Sequence, residues 1–415
     1  MVNPTVLGEV IEDQISNFRN KDLGIARDIV FDKYIETGQI TIISGIRRSG
    51  KSTLLAQFSK KFPDFYYINF DDERLADFTL ENFQQLMLSL QKLYPAKVIF
   101  LDEIQNVAGW ERFVRRIHDE GYKVFITGSN AKLLSSELAT HLTGRYVKIE
   151  LYPFSFNEFL RFKGLSSFRM TSAHKAKILK YFEEYVKQGG FPEFWKYGDG
   201  EFFKRVYEDI LYKDLLVRFK IKEVKSFKQL AAYLFSNLTK KISYRSLQIA
   251  LGFKSSTSVK NYIEFMQESF LIFELYKYDY SLKKQFVSDK KIYTIDNGLR
   301  NAVSFYFSED LGRLLENLVF IELKRRAKEI YYFKGKRECD FLVKEKSKIT
   351  EVIQVSSDLQ ILGNKERETD GLIEAMKMFD LKQGTILTEY QESVVEKDEF
   401  LIYIVPIWKW LLEKK

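Results

Sequence analysis

The sequence has few of the residues on which disulfide and metal chemistry depend. It contains one cysteine, Cys339, and three histidines among 415 residues. A single cysteine excludes both an intramolecular disulfide and a multi-cysteine zinc site. Because histidine is the other common ligand of transition metals, we expect no metal chemistry beyond a magnesium ion that arrives with a ligand.

Long apolar runs are also missing from the sequence. No stretch approaches the roughly 20 apolar residues that a membrane-spanning helix needs. The first residues carry acids early and lack a basic flank followed by an apolar segment, so we expect no secretory signal. These absences predict a cytoplasmic protein without a membrane partner. The 45% hydrophobic content suffices for a packed core in each of two or three domains.

The charge balance gives no strong indication of a partner. A formal net charge of +8 results from 65 basic and 57 acidic residues, with an isoelectric point near 9.0. Such a balance fits a solvated surface as well as a surface that binds nucleic acid. Charge alone therefore leaves DNA binding open.

One pattern stands out, GIRRSGKS at Gly45–Ser52, between the apolar run Ile40–Ile43 and an amphipathic helix. A strand, a loop with glycines at its first and sixth positions, and then a lysine and a hydroxyl residue form the phosphate-loop pattern. The glycines let backbone N–H groups approach a phosphate, and the helix N-terminus stabilises the negative charge. A chance match in a strand-to-helix turn is the alternative.

We predict that this loop binds ATP together with Mg²⁺. The ammonium of Lys51 would contact the β- and γ-phosphates and support their transfer, and the hydroxyl of Ser52 would be a ligand of Mg²⁺. The residues predicted to bind the nucleotide are Gly45, Arg47, Arg48, Ser49, Gly50, Lys51, Ser52 and Thr53.

Two carboxylates follow the apolar strand Val98–Leu101. A strand end of this kind places them in the crevice where open α/β sheets bind ligands. We predict that Asp102 holds Mg²⁺ through water and that Glu103 polarises the attacking water. Two acids in a solvated turn are the alternative, which the phosphate loop upstream disfavours.

Two further residues are candidates for the reaction. Asn130, after the fourth predicted strand, would lie beside the γ-phosphate and sense hydrolysis, unless it or Ser129 only caps the next helix. Arg145 lies in a turn before the last strand of this region, where its guanidinium could enter the nucleotide site of a neighbouring subunit. Alternatively, Arg145 pairs with a surface acid.

Five segments together resemble one family of archaeal and bacterial ATPases. They are GIRRSGKST, NFDDER, LDEIQ, TGSNAKLLSSELATHLTGR and LYPFSFNEFL. In that family an AAA-type P-loop domain of the additional-strand, catalytic-glutamate class precedes a winged helix and a restriction-endonuclease-like domain of unknown function. The resemblance covers nearly the whole chain. It implies ATP hydrolysis and sheet order 5-1-4-3-2, with the strand before Asn130 between those that lead to Lys51 and Glu103.

The predicted fold class is therefore α/β, a P-loop NTPase with three added parts. Strands alternate with helices from Ile40 onward, and helical patterns dominate after the fifth strand. The predicted domains are a P-loop ATPase domain at 1–152, a helical lid at 153–225, a winged helix at 226–300 and an endonuclease-like domain at 301–415.

The winged-helix region has the form of a helix-turn-helix. Ser243–Leu247 and then Ser255–Tyr262 place small and polar residues at the start of the recognition helix, where they can contact phosphates and base edges. Positive charge would come from Lys254, Lys260, Lys283 and Lys284. We predict DNA contact here, although winged helices also serve as protein-packing modules.

The last domain departs from a working endonuclease. Glu316, Asp340 and the Gln354–Ser356 stretch resemble the metal-binding arrangement of that fold, but Gln354 and Ser356 stand where a carboxylate and a lysine are needed. A metal would lose a ligand, and the water would lose its positive neighbour. We predict a domain that binds rather than cuts, with Lys334, Lys336 and Arg337 available to attract a nucleic-acid backbone.

As a whole, the sequence predicts an ATPase that couples hydrolysis of Mg-ATP to binding and remodelling of DNA, as a homo-oligomer such as a hexamer. Two alternatives remain. One is a nucleotide-dependent switch or scaffold that acts on a protein partner, and the other is an ATP-driven nuclease. Turnover stimulated by DNA would favour the first function, and a protein-dependent burst would favour the switch.

Overall fold

The computed structural model describes residues 3–128, 142, 144–165, 171–304, 311–360 and 364–413. The chain forms two compact units, 1–152 and 153–415, which we call the first and second unit. Within the described ranges, no helix is long and apolar enough to cross a membrane.

The first unit is built on a five-stranded sheet in which every strand pair is parallel. The strand order is β2-β3-β4-β1-β5, which confirms the predicted order 5-1-4-3-2 and matches a P-loop NTPase. Its strands are β1 (Ile40–Ser44), β2 (Tyr66–Asn69), β3 (Val98–Asp102), β4 (Lys123–Gly128) and β5 (Tyr146–Glu150). The carboxyl ends of all five strands therefore lie at one edge of the sheet, where a ligand site is expected.

Helices cover this sheet because each presents an apolar stripe. In the fourth helix, for example, the buried residues Phe83, Leu86, Met87 and Leu90 recur at three- and four-residue spacing. The described helices of this unit are α1 (Pro4–Arg19), α2 (Phe31–Ile35), α3 (Lys51–Ser59), α4 (Asn82–Leu93) and α5 (Trp110–Asp119). Helix α3 packs on β3 and β4, so the phosphate loop that precedes it is held at the sheet edge.

The second unit contains two sheets and a set of helices. The three-stranded sheet has the order β6-β8-β7, and the six-stranded sheet has the mixed order β13-β14-β12-β11-β10-β9. The strands are β6 (Lys241–Ile242), β7 (Ile272–Tyr276), β8 (Lys290–Thr294), β9 (Glu329–Lys334), β10 (Glu338–Glu345), β11 (Lys348–Ser356), β12 (Gln383–Thr388), β13 (Ser393–Lys397) and β14 (Phe400–Pro406).

The described helices of the second unit precede, separate and follow these strands. They are α6 (Phe156–Phe162), α7 (Ser172–Gln188), α8 (Pro192–Tyr197), α9 (Phe202–Asp209), a π-helical segment (Ile210–Val217), α10 (Val224–Ser236), α11 (Tyr244–Leu251), α12 (Ser256–Glu268), α13 (Leu282–Val287), α14 (Asn297–Val303), α15 (Leu311–Arg325), α16 (Asn364–Met378) and α17 (Ile407–Leu412).

The second unit differs from the sequence prediction in two places. Hydrophobic spacing predicts a single helix over residues 201–219, but the structure changes to a π-helix at Ile210, a widening of the backbone that this spacing does not reveal. The sequence also predicts a two-stranded wing over residues 271–278 and 291–295, whereas the structure adds a third short strand, β6, and places helix α13 between the two wing strands. The winged-helix and endonuclease-like assignments stay predictions.

Candidate functional site

The phosphate loop of the first unit runs from buried strand β1 into helix α3. Gly50 precedes the helix with φ of 96°, a left-handed conformation that favours glycine. Gly45 lies so close to the end of the neighbouring strand β5 that a Cβ atom on Gly45 would be 2.2 Å from the carbonyl oxygen of Leu151. The two glycines that define the sequence pattern are therefore required by the backbone itself.

The ammonium of Lys51 lies inside this loop. It is 6% exposed and donates hydrogen bonds to the carbonyl oxygens of Gly45 and Ile46, both at 3.1 Å. The hydroxyl of Ser49 is buried and receives or donates no hydrogen bond within the described part of the chain. A buried cation beside an unsatisfied hydroxyl is suited to a bound phosphate.

A buried arginine that the sequence analysis missed holds the loop from behind. Arg27 is 8% exposed, and its guanidinium donates to the carbonyl oxygen of Ser49 at 3.0 Å and to that of Tyr152. The segment that carries Arg27 is itself fixed by helix α3, because the amide of Gln57 donates to the carbonyl oxygens of Leu23 and Ile25 at 2.7 and 2.8 Å. Arg27 thus connects the phosphate loop to the last residue of the first unit.

The carboxylate of Asp102 lies at the end of β3 and is 2% exposed. Thr127 on β4 donates a hydrogen bond to one of its oxygens, and the hydroxyl of Tyr67 on β2 donates to the other at 3.1 Å. Burial and the neighbouring Glu103 raise the pKa of Asp102, whereas hydrogen bonds from Thr127 and Ser52 and the charge of Lys21 act in the opposite direction. The structure therefore brings Ser52 and Asp102 together.

Glu103 follows directly in an unusual backbone conformation. Its φ is 51°, a left-handed value that is uncommon for a residue with a side chain and that recurs at functional sites. Its N–H donates to the hydroxyl of Thr127 at 3.2 Å, and its carboxylate accepts a hydrogen bond from the amide of Gln105. One threonine hydroxyl thus positions both acids.

These residues fit Mg²⁺ and a nucleotide phosphate. A hydroxyl and a carboxylate are hard oxygen ligands, which magnesium prefers, and Ser52 and Asp102 supply one of each. Of the other predicted nucleotide-binding residues, Arg47 is partly buried and Arg48 is exposed with φ of 67°. Thr53 is partly buried in the first turn of α3.

Arg145 lies away from this group. Its carbonyl oxygen accepts a hydrogen bond from the N–H of Ile40, at the start of β1, whereas the phosphate loop begins five residues later at the other end of that strand. The separation along the strand is about 16 Å. The guanidinium lies 3.5 Å from the carboxylate of Asp119, as the surface-pair alternative proposed. Asn130, the other candidate, lies outside the described residues.

The helix-turn-helix candidates of the second unit lie on two consecutive helices, α11 and α12. Ser255 caps α12 by accepting a hydrogen bond from the N–H of Ser258. The side chains of Lys254 and Lys260 are 89% and 53% exposed and form ion pairs with Glu223 at 3.7 Å and Glu264 at 3.4 Å. Exposed pairs of this kind contribute little and leave the lysines able to contact a phosphate.

Of the residues compared with an endonuclease, three come together and one does not. The N–H of Asp340 donates to the amide oxygen of Gln354 at 3.1 Å. The buried ammonium of Lys291 forms ion pairs with both Glu316 and Asp340. The hydroxyl of Ser356 instead donates to the carbonyl oxygen of Asp358 at 3.4 Å.

The basic residues proposed to attract nucleic acid at that domain lie beside acids. Lys334 is 3.9 Å from a carboxylate oxygen of Glu338, and Arg337 is 3.2 Å from one of Asp370. The N–H of Lys336 donates to Glu374 at 2.8 Å.

Comparison with known families assigns two segments of the chain. The profile of a family described as "AAA domain" matches residues 37–160. That of a family described as "Domain of unknown function (DUF8612)" matches residues 179–310. The phosphate loop, Asp102 and Glu103 all lie within the first match.

Two curated relatives match nearly from end to end. The uncharacterized protein MJ1544 of Methanocaldococcus jannaschii is 38% identical, and the match covers 97% of this chain and 94% of that protein. An uncharacterized protein of Haemophilus influenzae is 31% identical over 92% of this chain and 96% of its own length.

Among solved structures, the Walker-type ATPase PABY2304 of Pyrococcus abyssi is 15% identical with a TM-score of 0.38, covering 73% of this chain and 96% of that one. The Orc1 protein of Aeropyrum pernix, solved in complex with DNA, is 11% identical with a TM-score of 0.29, covering 73% and 92%. Scores this low support no conclusion about function.

The hydrogen bond from Thr127 to the carboxylate of Asp102 can be tested by mutation. In Thr127→Val the buried carboxylate of Asp102 loses a donor, so we expect the free energy of unfolding to fall by about 1–3 kcal/mol. Magnesium-dependent binding of a fluorescent ATP analogue should weaken as well. Urea unfolding and a binding titration measure the two effects. Thr41→Val is the matched control, because that buried hydroxyl makes only a 3.4 Å hydrogen bond to the carbonyl oxygen of Tyr34; equal effects of both changes would contradict the assignment.

Proposed function

Because this chain belongs to the same family as the uncharacterized protein MJ1544 and carries an AAA domain at residues 37–160, we propose that it is an ATPase that hydrolyses Mg-ATP and uses the reaction to bind and remodel DNA. One observation carries the ATPase proposal. The phosphate-loop hydroxyl of Ser52 meets the buried carboxylate of Asp102, with Glu103 as the next residue. A loop for phosphates, a magnesium site and a candidate base are thus adjacent.

The residues divide the work of phosphoryl transfer among them. Lys51 contacts the β- and γ-phosphates, and the loop N–H groups and the N-terminus of α3 surround them. Ser52 and Asp102 would hold Mg²⁺, which would offset the charge of the phosphates. Glu103 orients and polarises the attacking water, and the amide of Gln105 fixes its carboxylate. Asn130 stays our candidate for sensing the γ-phosphate.

We propose that Arg145 acts on the nucleotide of a neighbouring copy in a homo-oligomer such as a hexamer. Its place at the amino edge of the sheet supports action between subunits, since its own phosphate loop is at the opposite edge. The pair with Asp119 joins side chains that are 34% and 51% exposed. A surface pair of this strength is readily exchanged for a phosphate.

The DNA part of the proposal is supported by α11, α12 and their exposed lysines. A second helix whose first turn is polar, with basic residues beside it, is the geometry by which helix-turn-helix proteins enter the major groove. Lys254 and Lys260 would contact phosphates, and Lys283 and Lys284 on α13 would extend the basic surface.

One observation favours a second candidate function, a nucleotide-dependent switch acting on a protein partner. Tyr280, Leu282, Phe286 and Val287 are 72%, 65%, 62% and 75% exposed, in and next to α13. A group of exposed apolar side chains within eight residues is typical of a protein-binding surface. Stimulation of turnover by DNA distinguishes the two functions.

The ATPase assignment predicts different defects in two variants. Lys51→Ala should abolish nucleotide binding, because it removes the charge that contacts the phosphates. Glu103→Gln should keep binding and lower turnover by about 10²–10⁴-fold, because it removes only the base. Fluorescent-nucleotide titration and phosphate release measure these outcomes. Tight ATP binding by the Lys51 variant, or normal hydrolysis by the Glu103 variant, would refute the assignment.

The DNA assignment predicts that single-stranded, duplex or branched DNA raises the rate of ATP hydrolysis. In a Lys254→Ala/Lys260→Ala double variant this stimulation should be lost, and the slope of log affinity against log salt should fall by about two. Lys382→Ala is the control, since Lys382 directly precedes β12 of the six-stranded sheet and pairs with Glu399. A rate that ignores all three DNA forms and responds to a protein partner would favour the switch instead.

The role of Arg145 predicts complementation between two inactive proteins. Arg145→Ala retains the phosphate-loop lysine and Lys51→Ala retains the arginine, so a mixed oligomer contains interfaces with one intact residue of each kind. Mixing them should restore part of the hydrolysis rate. Light scattering that shows a monomer in ATP and Mg²⁺, together with no recovery on mixing, would exclude the proposal.

A further inference from the structure

A buried lysine in the second unit lies among three carboxylates. The ammonium of Lys291 on β8 is 2.9 Å from an oxygen of Glu316, 2.9 Å from one of Glu338 and 2.8 Å from one of Asp340. Its side chain is 4% exposed, and that of Asp340 is 9% exposed. Glu316 lies on α15, and the other two acids lie on β10. We call these three acids the carboxylate cluster.

The number of donors in Lys291 equals the number of carboxylates around it. An ammonium carries three N–H groups, and each of the three acids presents one oxygen at hydrogen-bonding distance. The hydroxyl of Tyr293, two residues along the same strand, also donates to Glu316, at 2.7 Å. Burial lowers the pKa of Lys291, but Asp340 and Glu316 outweigh this effect and raise it well above its usual value. With a carboxylate oxygen of three different acids at 2.8–2.9 Å, the ammonium of Lys291 is held in its charged form.

Other contacts fix the cluster and its lysine in place. Lys241 on β6 is the register partner of Lys291 and forms an ion pair with Glu338, so two adjacent strands of the three-stranded sheet present cations to it. The second oxygen of Asp340 accepts a hydrogen bond from the N–H of Val355 at 3.1 Å. Lys291 and Asp340 therefore both lie on strands that pair with a neighbouring strand.

This arrangement corrects one part of the sequence interpretation. The sequence placed Gln354 and Ser356 where an endonuclease has a carboxylate and a lysine, and so predicted that the attacking water would lack a positive neighbour. A lysine, Lys291, is present, but it lies on β8, 49 positions before Asp340 in the sequence. It lies between the acids rather than beside them.

We propose that the ammonium of Lys291 is the resident cation of the carboxylate cluster, that it keeps divalent metal ions out, and that the cluster joins the three-stranded sheet to the six-stranded sheet. A divalent ion binds carboxylate oxygens at about 2.0–2.6 Å, so it would have to expel the ammonium. Expulsion would leave a buried cation without its partners, which is strongly unfavourable. The inference does not depend on ATP hydrolysis or DNA binding.

Lys291→Met tests this inference, because methionine keeps most of the length and removes the charge. Glu316 and Asp340 then lose the cation that they share, whereas Glu338 keeps its ion pair with Lys241. We expect the thermal midpoint in EDTA to fall by about 10 °C and to recover in Mn²⁺. Adding Asp340→Asn to Lys291→Met should abolish the recovery. Lys290→Met is the matched control: that lysine is 4% exposed on the same strand, but its ammonium donates to the carbonyl oxygen of Phe286, so Mn²⁺ should not restore it.

A second measurement applies even if Lys291→Met fails to fold. The unaltered chain and its Asp340→Asn variant, without nucleotide, should bind the same number of Mn²⁺ ions by electron paramagnetic resonance, because the cluster takes none while Lys291 is present. Loss of one bound ion in Asp340→Asn would overturn the proposal and identify the cluster as a metal site. A Lys291→Met protein that is as stable as the unaltered chain and indifferent to Mn²⁺ would overturn it as well.

Discussion

The burial of the Asp102 carboxylate is the constraint on which the site of the first unit depends. A carboxylate that is 2% exposed loses its water, so the protein must supply donors in place of water. They come from three different elements: Thr127 from β4, Tyr67 from β2 and Ser52 from α3. This works only if β3 lies between β2 and β4 with α3 above them. The site therefore requires this strand order.

Sequence patterns found the residues that we propose to act on the ligand and missed the residues that hold them in place. The phosphate loop and the acids at 102 and 103 have fixed local spacing, so they can be recognised in isolation. Thr127 and Tyr67 matter because of strand register: Leu101 pairs with Ile126, which places Asp102 beside Thr127. Arg27 is harder still, because its partners are main-chain oxygens, which leave no trace in side-chain identity.

The same distinction explains the second unit. Helices α10 and α12 follow from hydrophobic periodicity, since each buries apolar residues at three- and four-residue spacing. Helix α13 and the π-helix do not, because α13 exposes its apolar residues and the π-helix retains a helical pattern. Lys291 was missed because its partners are 25 and 49 positions away, and no local spacing connects them.

The carboxylate of Asp102 and the carboxylate cluster around Lys291 differ in how their charge is balanced, and that difference separates their chemistry. Asp102 is held by neutral hydroxyls, which satisfy its oxygens without cancelling its charge, and Lys21 is the cation that acts on it in the described structure. A divalent cation that entered with its phosphates would supply the charge that these hydroxyls do not. In the cluster around Lys291, the cation is part of the chain and touches every acid. A group balanced in this way gains little from an outside metal, so the same residue types support ligand binding in one unit and a structural joint in the other.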